Sequence, residues 1–424
     1  MKHFGTDGIR GIFGDDLNAK VIGALGNAIR TQGHKKIILG HDTRKSCGAI
    51  ISALGLEVTN VGVVPTTALA YLTRELGADL GIMITASHNP PEYNGIKLFG
   101  PDGQKLDGMP LEVLDGLIDT LPPLDPVAQK APKRGANRQW QNFVVNCFKK
   151  SFHGKKLPKV YLDNGNGSGW RTAEKVFKRL GFDAEAFNTQ SDGNDINVGC
   201  GATHPEFLSE KMTQKKVPLL HGGVARRSRD GVVMSGVLGF SFDGDADRCV
   251  VFDENGTPVP GDVLLALLAE YINATTFVST VMMNVGTEKW LRSKGIDVIR
   301  TPVGDRYVLA EMLKAGAQLG GEASGHIIFP KIFMGGDGLL TALVTLEMLV
   351  LGGKPMSQLA ASVTVWPSLM HNVEHEVPEG EYMRDGCRVL VRKSGTERLY
   401  RILVEGEDEE QCRNILNELC INNP

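Results

Sequence analysis

A strand-like apolar run, a stretch with helical spacing and a further strand-like run form a unit that recurs three times along these 424 residues. In the first round the strand-like runs are KIILG (36–40), LEVTNVGVV (56–64) and DLGIMI (79–84), with the helix-like TTALAYLTREL before the last. The second opens with KVYLDNGNG (159–167), passes through WRTAEKVFKRLG and ends in GFSFDGDADRCVVFD (239–253). The third runs from DVLLALLAEYI (262–272) through TFVSTVMMN to AQLGGEASGHIIF (317–329). Strands joined through helices pair in parallel, so the pattern predicts successive α/β domains. The last part of the chain breaks it. NVEHEV and RVLVRKSGTERLYRILVEGE read as strands and DEEQCRNILNELC as a closing helix, a small α+β unit. The expected division is 1–134, 135–257, 258–362 and 363–424, with linker composition near 121–136, 254–261 and 352–368.

Composition excludes several functions. The formal net charge of −3 offers no basic surface for nucleic acid, and the one basic run, ARRSR at 225–229, reads as a solvated loop. Seven cysteines are scattered at 47, 147, 200, 249, 387, 412 and 420 without a C-x-x-C spacing. That pattern predicts reduced thiols and a cytoplasmic protein rather than structural zinc. The N-terminus carries no apolar signal region. The longest apolar stretch, LLTALVTLEMLVL at 339–351, is too short to cross a bilayer, contains Glu347 and reads as a buried helix, so no membrane partner is expected.

Each round ends with a strand entering a polar loop: Ser87, then Asp243–Asp247, then Glu322–His326. Ligands of open α/β sheets bind beyond the carboxyl ends of strands, so these loops are expected to share a cleft. DGDADR sets Asp243, Asp245 and Asp247 at alternate positions, where they repel one another unless a cation lies between them. All-oxygen ligands suit a hard ion, Mg²⁺ above others. An EF-hand loop needs Gly where Arg248 stands and helices where the flanks read as strands; a solvated acidic turn is the plain alternative. In TASHNP, Ser87 precedes His88. Neighbouring side chains on an extended chain point apart, so His88 is expected to face away from Ser87, and no G-x-S-x-G elbow occurs. A serine carrying a phosphoryl group needs a balancing cation instead, which the aspartate loop can hold. Alternatively, Ser87 and Asn89 cap a turn.

In RKSGTERLYR (392–401), Arg392 offers a bidentate fork for phosphate, and Ser394, Gly395 and Thr396 offer hydroxyls and close backbone N–H groups. Ser394 and Glu397 also have capping-box spacing, although LYRILVE reads as a strand. Glu322 and Ser324 are spaced to reach one ligand from an extended loop, as sugar hydroxyls require. His326 fits either a reacting oxygen or a structural hydrogen bond. Two motif matches fail on context. HNVEH (371–375) lies in a strand-like run, and NGNGSGW carries Trp170 where a dinucleotide fingerprint needs its third glycine.

Seven segments in order, FGTDGIRG (4–11), TASHNP (85–90), NGIK (94–97), DGDADR (243–248), VGDRYV (303–308), GEASGH (321–326) and RKSGTE (392–397), make the chain resemble the α-D-phosphohexomutase superfamily. The resemblance implies four domains around a central cleft, three similar α/β domains with mixed sheets and a smaller C-terminal α+β domain. It implies that Ser87 is phosphorylated and that its phosphate holds Mg²⁺ together with Asp243, Asp245 and Asp247. Glu322 and Ser324 would grip the sugar. Arg392, Ser394, Gly395 and Thr396, with Arg401, would bind the non-reacting phosphate. Arg10, Lys97, Arg248 and His326 would surround the transferring group, with Lys97 and His326 the candidate acid or base. Within the superfamily the chain is most similar to bacterial members that interconvert glucosamine 6-phosphate and glucosamine 1-phosphate through glucosamine 1,6-bisphosphate, feeding UDP-N-acetylglucosamine synthesis. The expected partner is a small sugar phosphate, and a homodimer is left open. Rival readings are action on glucose or mannose phosphates, phosphosugar binding without catalysis, and a metal-dependent phosphatase. Three departures stand out: Arg398 in place of a usual Pro, a short 44–65 segment, and extra sequence at 217–236.

Overall fold

The computed structural model describes residues 2–5, 7–214, 236–393 and 399–421. The first unit contains β1 (Ile9–Ile12), α1 (Ala19–Thr31), β2 (Ile37–His41), α2 (Cys47–Ala53), β3 (Thr59–Val63), α3 (Thr66–Glu75), β4 (Leu80–Ile84), β5 (Tyr93–Phe99) and α4 (Met109–Ile118). Its sheet has the order β1-β5-β4-β2-β3. β2 pairs in parallel with β3 and β4, whereas β5 runs antiparallel to β4 and β1. All five residues of β4 are buried, as a continuous apolar run covered on both faces should be. Asn18 starts α1 by accepting the N–H groups of Lys20 and Val21.

The second unit comprises α5 (Ala136–Phe152), β6 (Lys159–Asp163), α6 (Ala173–Arg179), β7 (Ala184–Phe187), α7 (Pro205–Gln214), β8 (Val237–Phe242) and β9 (Cys249–Phe252), with sheet order β7-β6-β8-β9. The third comprises α8 (Gly261–Tyr271), β10 (Thr276–Thr280), α9 (Val285–Ser293), β11 (Asp297–Thr301), α10 (Asp305–Ala315), β12 (Leu319–Gly321), β13 (Ile327–Phe329), β14 (Phe333–Gly336), α11 (Gly338–Gly352) and α12 (Met356–Ala360), with sheet order β11-β10-β12-β13-β14. One feature repeats in all three. A strand parallel to its predecessor (β4, β8, β12) turns straight into an antiparallel partner (β5, β9, β13). The loops at those turns carry Ser87, Asp243–Asp247 and Glu322–His326 respectively.

One apolar core runs through the first three units. Trp140 of α5 is fully buried there against Tyr71, Phe143 and Phe333. The apolar helix expected at 339–351 is α11. Asp337 caps it by accepting the Leu340 N–H (2.6 Å), and it reaches solvent in part at Glu347 and fully in its last turn at Leu351. Among the described residues, no helix is long and apolar enough to cross a membrane.

The fourth unit holds β15 (Ser368–Val373), β16 (Gly380–Arg384), β17 (Cys387–Lys393), β18 (Tyr400–Glu405) and α13 (Glu409–Ile421), an antiparallel sheet of order β15-β18-β17-β16 under one helix. His371 lies on β15 opposite Ile402, so HNVEH does not form the helix a zinc motif needs. This unit has its own core. A buried polar joint ties it to the third. Arg388 donates to Glu405 Oε2 (2.6 Å) and to the carbonyl of Val281 (2.5 Å), while Asn284 donates to Glu405 Oε1 (3.3 Å). Arg388→Ala strands Glu405 without its cation. The expected cost is about 3–5 kcal/mol, read as a lowered unfolding transition in calorimetry; an unchanged transition would show that the joint carries no stability.

Candidate active site

The loop after β4 is held in an uncommon shape. Ser87 has φ 52°, left-handed for a residue with a side chain. Its N–H donates to Thr85 Oγ1 (2.9 Å), and that hydroxyl donates to Asp42 Oδ2 (2.7 Å). Arg44, wholly buried, holds the other side. Its Nε pairs with Asp42 Oδ2 (3.0 Å), and its guanidinium donates to the carbonyls of Ser87 (3.1 Å) and Asn89 (2.7 Å). Asn197 of the second unit donates to the same two carbonyls, at 2.8 and 3.1 Å. With its polar groups saturated this way, the loop keeps its strained residue. Arg44 belongs to the short 44–65 segment, which therefore retains both α2 and this anchor.

The turn at Ser87 overrules one expectation. On a left-handed residue neighbouring side chains do not diverge, and His88 Nδ1 lies 3.3 Å from Ser87 Oγ. Burial, then Arg248 and Arg10, push the His88 imidazole down to about 4, so it is neutral at neutral pH.

Ser87 Oγ donates to Asp243 Oδ2 at 2.7 Å. The two loops approach so closely that a Cβ on Gly244 would lie 2.6 Å from the Ser87 carbonyl oxygen, which only glycine avoids. Asp243, Asp245 and Asp247 are all buried, and each offers one oxygen within 4.8 Å of the others. Asp245 Oδ1 and Asp247 Oδ1 have no hydrogen-bond partner among the described residues. Burial, then Asp247 and Asp245, push the Asp243 carboxyl well above the usual range. Crowded carboxylates with orphaned buried oxygens fit a hard divalent cation such as Mg²⁺. The flanking β8 and β9 exclude an EF-hand, which needs helices there.

Cations close the site. Lys97 of β5, 1% exposed, has Nζ 2.8 Å from Asp245 Oδ2, 3.2 Å from Asp247 Oδ2 and 3.1 Å from Asp7 Oδ2. Burial works against its charge, but Asp245, Asp247 and Asp7 win and raise it well above an ordinary lysine. Asp7 also pairs with Lys105, Lys105 with Asp305, and Asp305 with His326 Nε2 (3.6 Å); His326 Nδ1 lies 3.7 Å from Asp247. These six groups, drawn from the first three units, form a closed ring of alternating sign. Burial opposes the charge on His326, yet Asp247 and Asp305 raise its imidazole above the ordinary value. Burial likewise opposes the charge on Asp247, but Lys97, then His326 and Arg248, hold it well below the carboxylate range. Beside the ring, between the first and third units, lies a cavity of about 150 Å³ with Phe99, Leu309 and Phe333 on its apolar side.

Of the other expected residues, Arg10 ion-pairs with Asp7 and donates to Asn89 Oδ1 (3.3 Å). Arg248 gives its N–H to Asp243 Oδ1 (3.2 Å), with its guanidinium 4.0 Å from Asp247. Glu322 accepts the Gly304 N–H (3.2 Å), and Ser324 is exposed on the same loop. Arg392 and Arg401 stand directly opposite on β17 and β18. Burial, then Arg401, lowers Arg392, and its Nε has no hydrogen-bond partner among the described residues. Facing cations invite an anion between them. Ser394, Gly395, Thr396 and Arg398, and the extra sequence up to residue 235, lie outside the described residues.

Sequence reasoning missed Asp7, Lys105 and Asp305. Asp7 and Asp305 sit inside segments already singled out, GTDGIRG and VGDRYV, but nothing local says which charge each meets. Lys105, in a Gly-containing turn, carries no signal of its own.

The chain matches Phosphoglucomutase/phosphomannomutase alpha/beta/alpha domains I, II and III over residues 1–118, 138–256 and 260–365, and the C-terminal domain of that family over 372–421. A phosphoglucosamine mutase of Thermotoga sp. (strain RQ2) is 39% identical over 448 residues, covering 99% of each chain. One from Clostridioides difficile is 36% identical over 459 residues, covering 99% of this chain and 98% of that one. Among solved structures, a phosphoglucomutase/phosphomannomutase family protein of Burkholderia thailandensis superposes with TM-score 0.77 at 25% identity, over 97% of this chain and 95% of that one. An Aspergillus fumigatus N-acetylphosphoglucosamine mutase, solved in complex with GlcNAc-6P and magnesium, shares the fold with TM-score 0.63 at 18% identity, over 99% and 94%. With all four domains present in order, and relatives this similar over its whole length, the chain belongs to the phosphoglucomutase/phosphomannomutase family of α-D-phosphohexomutases.

Proposed function

We propose that this enzyme interconverts glucosamine 6-phosphate and glucosamine 1-phosphate, with Ser87 as the phosphoryl carrier and glucosamine 1,6-bisphosphate as the intermediate. The observation that carries the reading is the 2.7 Å contact of Ser87 Oγ with Asp243, at a buried trio of aspartates that fits a cation. Phosphorylated Ser87 gives its phosphoryl group to a sugar hydroxyl. The new O–P bond forms as the Ser87 Oγ–P bond breaks; the uncharged form of His326 takes the proton of the attacking hydroxyl, and Ser87 Oγ takes one up as it leaves, both transfers reversing in the second half. The bisphosphate turns round, and its other phosphoryl group returns to Ser87. Lys97, too strongly paired to give up its proton, acts as a fixed cation with Arg10 and Arg248 at the transferring group. Mg²⁺, when bound by Asp243, Asp245 and Asp247, supplies charge neutralisation for the phosphoryl oxygens. Arg392 and Arg401 bind the phosphate that does not react, and Glu322 and Ser324 the sugar hydroxyls.

The amino sugar is favoured by the relatives named phosphoglucosamine mutase; the family's own name supports glucose or mannose phosphates as the second reading. A coupled assay over the three sugar phosphates, with and without chelator, separates them. The expected result is the highest kcat/KM for glucosamine phosphate, lost with chelator and restored by Mg²⁺. Preference for mannose phosphate supports the second reading, and net release of inorganic phosphate a phosphatase. Asp305→Asn removes one carboxylate partner of His326 and Lys105. Losing such an outer partner lowers kcat by about 10–100-fold with little change in KM; a pure KM effect would detach the ring from the chemistry.

A further inference from the structure

The fourth unit holds two thiols in contact. Cys387 opens β17 after the tight turn at Asp385 and Gly386, and Cys412 sits near the start of α13. Their Sγ atoms are 3.5 Å apart, and both side chains are buried among Val373, Val389, Ile402 and Val404. Gly406, just past β18, forms the third wall. A Cβ there would fall 2.5 Å from Cys387 Sγ and 2.9 Å from Cys412 Sγ, so the glycine leaves the space that both sulfurs occupy. No function proposed above uses this pair.

We propose that Cys387 and Cys412 are a dithiol that oxidises to an intramolecular disulfide, tying α13 to β17. A disulfide needs sulfurs about 2.05 Å apart, so the pair must close by about 1.5 Å, within reach of side-chain rotation. The oxidant is a small-molecule disulfide. One cysteine thiolate attacks it and releases one small thiol, leaving a mixed disulfide. The second thiolate attacks the protein sulfur of that mixed disulfide, the cross-link forms, and a second small thiol leaves. Two protein thiols are oxidised, one small disulfide is reduced, and the two protons pass to the leaving thiolates. Burial, then the neighbouring Cys387, push the Cys412 thiol up to about 12, so exchange in the closed unit is slow. It proceeds through local opening of α13, the last described helix, which covers the pair. The closed loop contains Arg392 and Arg401, so oxidation holds the strands that carry the proposed phosphate clamp.

The test uses the full chain, reduced, desalted and held overnight under native conditions in excess oxidised glutathione. It is then unfolded and its free thiols are labelled with a maleimide. After digestion, mass spectrometry is expected to show Cys387 and Cys412 unlabelled and free of glutathione, while the exposed Cys147, with no thiol beside it, keeps a mixed disulfide with glutathione. Peptide mapping is expected to show Cys387 joined to Cys412, and the denaturant midpoint to rise and fall back on reduction. Cys147→Ser, at an exposed cysteine, should oxidise as the parent does, and Cys412→Ser should form no internal link. Maleimide on Cys387 and Cys412 after the native incubation, a link between other cysteines, or glutathione retained on Cys387 or Cys412 would each overturn the proposal. The peptide map of the parent chain decides the matter even if the Cys412 variant fails to fold.

Discussion

Ser87→Ala is expected to lower kcat by at least about 10³-fold, the scale on which removing a covalent carrier acts. The fold should survive. The variant loses one hydroxyl and one hydrogen bond to Asp243, about 1–3 kcal/mol at most. The loop itself is held through backbone groups of Ser87 and Asn89 by Thr85, Arg44 and Asn197, none of which needs the Ser87 side chain. Circular dichroism should therefore overlay closely on the parent, and the thermal transition should fall by no more than several degrees, while turnover disappears. Turnover within tenfold of the parent would remove Ser87 from the reaction.

Lys97→Met should damage stability and rate together. The ammonium is buried and meets Asp7, Asp245 and Asp247. Methionine matches its length but removes the cation that Asp7, Asp245 and Asp247 share, leaving Asp7 to Lys105 and Arg10 and Asp247 to His326 and Arg248. Breaking a buried ion pair from one side costs about 3–5 kcal/mol. The sign of the pH dependence follows. In the parent, Lys97 helps hold Asp7 and Asp247 low, so their contribution is present above the unfolded carboxylate value and lost as pH falls through the folded one. In the variant the same groups lie higher than in the parent, so that contribution shrinks. The deficit relative to the parent is then largest near neutrality and narrows as pH falls toward about 4. Urea unfolding at a series of pH values reads this directly. A deficit that widens toward acid would contradict the charge assignment of the ring. Activity should fall with stability corrected for, because no other cation occupies that position between the aspartates.

How much of this could be read beforehand depends on how local each signal is. The strands were legible because apolar runs such as DLGIMI and GFSF must be buried, and the loops because charge follows them abruptly. The aspartate trio was legible because its repulsion is contained within five consecutive residues. His88 was misplaced because an extended chain was assumed where Ser87 is left-handed, and a non-glycine residue gives no notice of that. The ring was invisible for a different reason. Lys105 meets Asp7 across 98 residues of chain and Asp305 across 200, and no spacing rule reaches that far. The joint of Arg388, Glu405 and Asn284 escaped in the same way, since its members look like ordinary strand and loop residues until the third and fourth units meet.

The claim on which the mechanism stands is that Ser87 carries a phosphoryl group that turns over. Incubation with glucosamine 1,6-bisphosphate labelled in both phosphates tests it, followed by peptide mapping and a chase with unlabelled glucosamine 6-phosphate. The account predicts one labelled phosphoryl group, on the peptide containing Ser87, that passes to the sugar during the chase. Label on another residue, or label on Ser87 that the chase does not remove, would contradict it.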